Sequence, residues 1–371
     1  MRITVDYQFS DRNYSRFIAY GGAKYETEKL KIGVSIYNEN DAKNQPLQQN
    51  LSEEQALLLA DAGDDEDLMV APSAVSETFN ENRILYKKEL IDGVEAFVFS
   101  NNPDDELFSV RFTLVGANEG NYIITSTNAI ANIFEYKSPI SGVPQGNYEP
   151  IVKLIAPTKL QMAVINGSYT PSEKTRLNFE LVGSKNDLNL FSSLDDSNND
   201  GFAGKLRIEQ DLIKSDSLWN LSSYVDGDYI QKDFRTIEQL YNAEFNRDWN
   251  IDMPIGNQKL LITGLQLNHH KKGNFMYQFE HLNYSENFNG NRHVVQTNLL
   301  LNKFNIRSNT SILRADSNLY SSGFLRTYNQ VKYNYDNGWL GTRISIEDNE
   351  QKEKTTQQLT NLSQRFRSYE V

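Results

Sequence analysis

Apolar and polar residues alternate with a period of two along most of this chain. Leu30, Ile32, Val34 and Ile36 stand against Lys31, Gly33 and Ser35, and Leu177, Phe179 and Leu181 against Asn178 and Glu180. The pattern returns at Leu261, Thr263, Leu265 and Leu267, at Phe275, Tyr277 and Phe279, and at Val295, Thr297, Leu299 and Leu301. It continues through Phe304, Ile306, Ser308, Thr310 and Ile312. Val331, Tyr333 and Tyr335 then lead through Asn337-Gly338, a strong hairpin signal, to Leu340, Thr342, Ile344 and Ile346. Alternation of this kind places every second side chain on one face of a strand. At the start, Ile3, Val5, Tyr7 and Phe9 oppose Thr4, Asp6 and Gln8 in the same way.

One stretch follows a different rule. "LSEEQALLLADAG" has Ser52 as N-cap, Gln55 in the capping-box position and Gly63 as a stop, which predicts a short helix. It lies in a polar insertion that continues into the acidic "DAGDDED".

Three zones follow. Residues 1–37 read as strands in hairpin order. Residues 38–158 read as an irregular β-rich insertion with the helix. Residues 159–371 read as an antiparallel meander of roughly ten strands, mostly about 8–11 residues each. Such strands exceed the usual soluble length and match tilted strands that cross a bilayer. The predicted fold class is therefore all-β: an up-and-down meander, read as a partial transmembrane barrel. Long connections at 285–293, 314–323 and 348–355 alternate with tight ones at 302–303 and 336–338, as a barrel requires. Upstream the alternation fails. Both 226–240 and 250–258 read as long, with Tyr241, Ala243 and Phe245 as a strand between them.

Composition sharpens this picture. The 371 residues carry 37 basic and 49 acidic side chains, a formal charge of −12, which argues against a nucleic-acid partner. There is no cysteine, hence no disulfide framework and no thiolate chemistry. Mean hydropathy is −0.59, and no apolar run is long enough for a transmembrane helix. That polarity is compatible with barrel strands, which show lipid only every second residue. "MRITVDYQFS" has no apolar signal-peptide core, and the pattern begins at once. The expectation is a fragment of a longer protein.

Candidate chemistry is sparse. "GANEGNY" (116–122) and "GVPQGNY" (142–148) repeat one motif, but each runs into a strand. A phosphate loop needs a helix N-terminus there, so no nucleotide is expected. The motifs read instead as turns needing positive φ, with the Tyr anchoring the next strand. Asp196, Asn198 and Asp200 before Gly201 match the front of an oxygen-rich Ca²⁺ loop. The twelfth position is Arg207 rather than Glu, so only a weak exposed Ca²⁺ site is expected, and otherwise no cofactor. The four histidines, His269, His270, His281 and His293, fall in a turn and at the ends of a loop, without acidic partners at ligand spacing. No nucleophile or metalloprotease motif is present, and no enzyme activity is expected. Trp219, Trp249, Trp339, Tyr284 and Tyr320 are candidates for an interfacial aromatic girdle, ahead of ordinary sheet surface and then a sugar-binding face.

Three stretches together carry a resemblance. "RFTLVGANEGNY", "FEYKSPISGVPQGNYEPIVKLIAPTKLQM" and "LVGSKNDLNLFSSLDDSNNDGFAGKL" occur in this order. The chain thereby resembles large, functionally uncharacterised proteins of the Bacteroidota that end in outer-membrane β-barrels. The resemblance covers roughly residues 105–210 by motif and implies a Gram-negative outer membrane. Its implied partners are membrane lipid and other outer-membrane or periplasmic proteins. The expected function is non-enzymatic: transport, secretion or cell-surface assembly, with 38–158 as plug or cap. The alternative is a soluble or surface-exposed β-sandwich that binds glycans or proteins. A cell-surface hydrolase stands third.

Overall fold

The alternating segments become one antiparallel sheet of 14 strands, hydrogen-bonded in chain order. The structure is a computed structural model that describes residues 2–4, 16–43, 51–127, 132–215 and 218–371. The sheet strands are β1 (Arg2–Thr4), β2 (Arg16–Glu26), β3 (Leu30–Asp41), β4 (Lys159–Ser172), β5 (Thr175–Asp187), β6 (Asp200–Ile213) and β7 (Asn220–Ile230). They continue as β8 (Gln258–His269), β9 (Gly273–Tyr284), β10 (Phe288–Leu301), β11 (Phe304–Ser317), β12 (Tyr320–Tyr335), β13 (Gly338–Glu353) and β14 (Gln364–Glu370). No pairing joins β1 to β14 among the described residues, so the sheet is an open meander. Val5, Tyr7 and Phe9 lie outside the described residues.

The strands from β4 to β13 run to 11–16 residues, longer than the alternation alone marks. The reason lies at their ends. Polar residues such as Asn289, Asn291 and Asp316 interrupt the apolar face there, yet the ladder continues through them. The expected long connections at 285–293 and 314–323 are therefore only 285–287 and 318–319.

The broken alternation upstream has one cause. Tyr241, Ala243 and Phe245 do not form a strand. A single connection runs from 231 to 257 and contains a short helix, α2 (Phe245–Trp249). Tyr241, Phe245 and Trp249 recur every four residues, a helical spacing, and the Tyr241 and Phe245 rings stack at 4.1 Å. Asn250, in the left-handed region at φ 53°, ends the helix. With that strand removed, the parity is regular. One rim carries short connections at 27–29, 173–174, 214–219, 270–272, 302–303 and 336–337. The other carries 42–158, 188–199, 231–257 and 354–363, besides 285–287 and 318–319.

The insertion holds the predicted helix, α1 (Glu53–Ala62). Ser52 caps Gln55 N–H, Gln55 returns the bond to Ser52, and Gly63 stops the helix at φ 64°. Two small cores fill the insertion. Leu59, Ala62, Met69, Ala71, Leu154 and Ala156 form one. Tyr122, Tyr136 and Ala96, with Phe112, Phe134 and Tyr148 against them, form the other.

The large sheet has two unlike faces. One carries cross-strand apolar rows such as Val34–Ile165–Leu181 and Leu265–Tyr277–Val295. Leu261 and Leu265 are each 44% exposed there, and Leu299 and Ile344 are not buried either. The opposite face carries Lys205, Arg207, Asp226, Glu280, Arg292, Arg326 and Glu347, laced into ion pairs.

Candidate functional site

The polar face is covered at the rim of long connections by residues 231–257. Trp249 is wholly buried against Leu260, Leu282, Phe288, Leu313 and Phe324, which come from five successive strands, β8 to β12. Burying such a ring supplies most of the apolar hold on the connection. Arg292 lies over the Trp249 ring at 4.6 Å, adding a cation–π contact.

Polar contacts orient what the tryptophan anchors. Arg326 donates to Asp248 at 2.6 Å, and Arg292 approaches the same carboxylate at 3.7 Å. Arg292 also donates to Glu280 at 2.7 Å. Arg247 donates to Glu347 at 2.7 Å, which holds its guanidinium charged, with Glu244 as the first cause. Asn250 and Asn349 exchange side-chain hydrogen bonds at 2.7 and 3.1 Å. At the near end, Tyr241 accepts from Gln258 at 2.6 Å and donates to Asp228 at 3.4 Å. Burial, then the neighbouring Asp228 carboxylate, pushes the Tyr241 hydroxyl well above its ordinary pKa. The connection thus touches strands from β7 to β13, through ion pairs with β10, β12 and β13, through hydrogen bonds of Tyr241 and Asn250, and through the Trp249 pocket. This arrangement can hold a segment across the polar face.

Three sequence expectations change here. Trp249 and Tyr284 are not girdle residues: the first is buried on α2, and the second donates to Gln258 at 2.7 Å on the polar face. Trp339 is exposed beside a tight turn, Trp219 packs on His269 at 5.0 Å, and Tyr320 follows the 318–319 turn. Exposed aromatics of the apolar face include Tyr25, Tyr169, Phe275, Phe304 and Tyr333 close to the tight-turn rim, and Phe17 and Phe202 close to the opposite rim. His281 and His293 sit within paired strands, bonded to Asn291 and Tyr277 at 2.9 Å, rather than at loop ends. His269 and His270 stand at the 270–272 turn with their rings stacked at 5.0 Å.

The calcium candidates lie where the insertion meets the 188–199 connection. Asp196 and Asn198 occupy a single 3-10 turn, and Asp200 opens β6 with Lys185 at 3.9 Å. Among the described residues, no group of three or more acidic or histidine side chains is arranged to hold a metal. Burial and the neighbouring Asp187, Asp195 and Asp196 raise the Asp64 carboxyl above its ordinary pKa. Asn189, fully buried, donates to the carbonyls of Leu59 and Gly63 at 2.6 and 2.5 Å and so caps the end of α1. Ser192 donates to Ala60 at 2.8 Å. The insertion is thus fastened to a connection 130 residues away in sequence.

The two Gly-Asn-Tyr motifs pair with each other. Gly120 and Gly146 exchange backbone hydrogen bonds at 3.2 and 2.7 Å, and Tyr122 stands opposite Tyr148. A Cβ on Gly120 would strike the Tyr148 backbone, and one on Gly146 the Tyr122 backbone. Positive φ occurs instead at the first glycines, Gly116 at 145° and Gly142 at 82°. Tyr122 accepts from Phe97 N–H at 2.8 Å, and burial pushes its hydroxyl pKa up to about 12. Burial also raises the Glu149 carboxyl, although Asn121 donates to it twice, at 2.7 and 2.9 Å.

No protein-family profile matches the chain, and no curated protein matches it significantly.

Proposed function

We propose that this chain forms part of a transmembrane β-barrel in a Gram-negative outer membrane and acts without catalysis in transport, secretion or cell-surface assembly. The observation that carries the reading is the two-sidedness of the sheet. An exposed apolar face backs a face of ion pairs, in strands long enough to cross a bilayer. Lipid tails would cover Leu261, Leu265 and their neighbours, while water and the 231–257 connection would meet the charges. Tyr25, Tyr169, Phe275, Phe304 and Tyr333 would then lie near one interface. Every connection on that rim is short, as the inner side of such barrels requires, while the opposite rim mixes the long connections with the short ones at 285–287 and 318–319. An open sheet edge is intolerable in hydrocarbon, so β1 and β14 would be closed by pairing in the membrane. No helix of the described residues is long and apolar enough to span a bilayer, and strands would do so instead.

Fractionation of cells producing the protein tests this. Recovery in the outer membrane after a carbonate wash is expected, with release only by detergent. Recovery in the soluble fraction without detergent would end the membrane reading and favour a surface-exposed binding protein.

A further inference from the structure

A second feature of the polar face lies beside the covered rim. A cavity of about 710 Å³ opens between strands β2–β7 and residues 234–241 of the long connection. That is the size of a small-molecule site. Met162, Val164 and Val182 form the apolar floor, and Leu240 and Tyr241 form part of the roof.

The charges lining it are unbalanced. Glu180, Asp228 and Glu238 face one ammonium, Lys205, which leaves two net negative charges (three minus one). Lys205 is already divided between Asp226 at 3.7 Å and Asp228 at 3.4 Å. Its cross-strand neighbour Glu180 has no ion-pair partner among the described residues. Of the lining carboxylates, Asp228 has a buried Oδ1 that receives no well-formed hydrogen bond and has the Lys205 ammonium at 3.4 Å. A buried carboxylate oxygen with only one shared ammonium beside it is costly, so the site is short of positively charged donors relative to its acceptors.

We propose that this cavity binds a small amphipathic organic cation: a primary ammonium held by Glu180 and Asp228, with an apolar body on Met162, Val164 and Val182. An ammonium presents three donors and no acceptor, which suits the unfilled acceptors. The apolar body replaces water on the floor. A carboxylate ligand of the same shape would meet like charge. The inference needs only the fold and stands whether or not the sheet lies in a membrane.

The test uses the full chain in uncharged maltoside micelles and three probes of one shape. These are 1-naphthylethylamine, the neutral 1-naphthaleneethanol and the anionic 1-naphthaleneacetate, followed by naphthyl fluorescence against a micelle blank. The amine is expected to bind about tenfold more tightly than the alcohol, and the acetate weakest. Glu180→Gln, at an exposed position that leaves the fold intact, should weaken the amine roughly fivefold and leave the alcohol unchanged. Val182→Trp should fill the cavity and remove binding of both. Absence of amine binding, equal binding of amine and acetate, or an unchanged amine affinity in Glu180→Gln would each overturn the proposal.

Discussion

Arg326 of β12 and Asp248 of α2, 78 residues apart in sequence, meet at 2.6 Å. That contact and its neighbours decide where the 231–257 connection rests. With Arg292 on the other side of the same carboxylate, Asp248 balances two guanidinium groups drawn from β10 and β12. Replacing it with Asn leaves those two cations facing each other. Charge-assisted bonds of this kind contribute about 1.5–3 kcal/mol, less where water screens them, as it does at these partly exposed groups. Asp248→Asn should therefore loosen the connection by about 1–2 kcal/mol. Limited proteolysis reads the change: cleavage within 231–257 should accelerate severalfold at low salt, and the difference from the wild type should shrink at high salt, which screens the same pairs in the wild type. An unchanged cleavage rate would mean that the ion pairs do not hold the segment.

Trp249 tests the apolar half of the same latch. Removing a buried tryptophan side chain costs about 3–5 kcal/mol. The loss should be local, because the ladders of β7 to β13 do not pass through α2. Hydrogen exchange of Trp249→Ala should show amides 245–251 losing protection while those of β9 and β10 keep theirs. Uniform loss across the sheet would show instead that the tryptophan supports the whole fold.

The paired glycine motifs allow a ranking. Gly120→Ala and Gly146→Ala place a methyl group against opposing backbone, so both should strongly destabilise the small β unit. Gly142→Ala meets nothing within 4 Å and costs only the strain of its positive φ, about 1 kcal/mol. Circular dichroism melts of the three variants check the order. A Gly142→Ala variant as damaged as Gly120→Ala would contradict the close approach.

Asn189 closes the end of α1 from outside the insertion, with Ser192 beside it on the Ala60 carbonyl. Asn189→Asp keeps the shape and removes both donors, leaving the Leu59 and Gly63 carbonyls buried without partners. A loss of about 2–3 kcal/mol is expected, read as weaker protection of α1 amides. Protection equal to the wild type would mean that the helix end is satisfied elsewhere.

Asp64 gives a pH dependence. Its folded pKa lies above the ordinary 3.8, so the folded state holds this proton more tightly than the unfolded chain does. The stability it contributes is fully present below that ordinary value and is lost as pH rises through the raised one. Asp64→Asn should therefore raise the thermal midpoint at pH 7 and show no advantage near pH 3.8. An equal gain at both pH values would assign the effect to something other than titration. Calcium chloride in the same melts tests the loop of Asp196, Asn198 and Asp200. A bound cation would raise the wild-type midpoint and leave that of Asp196→Asn unchanged, and no rise in either removes the calcium expectation.

Local pattern determined much of this protein. Alternation at Leu261–Leu267 and Phe304–Ile312 located strands and told the apolar face from the polar one, because a strand's geometry repeats every two residues. Ser52, Gln55 and Gly63 bounded α1, since capping involves only neighbours. Tertiary structure decided the rest. The four-residue spacing of Tyr241, Phe245 and Trp249 was legible, but three aromatics with an alternating Ala243 also fit a strand. Only the five-strand pocket around Trp249 selects the helix. That Asp248 meets Arg326, that Asn189 caps α1, and that Gly120 pairs with Gly146 follow from chain crossings set by the whole sheet. No window of sequence contains both partners of any of these contacts.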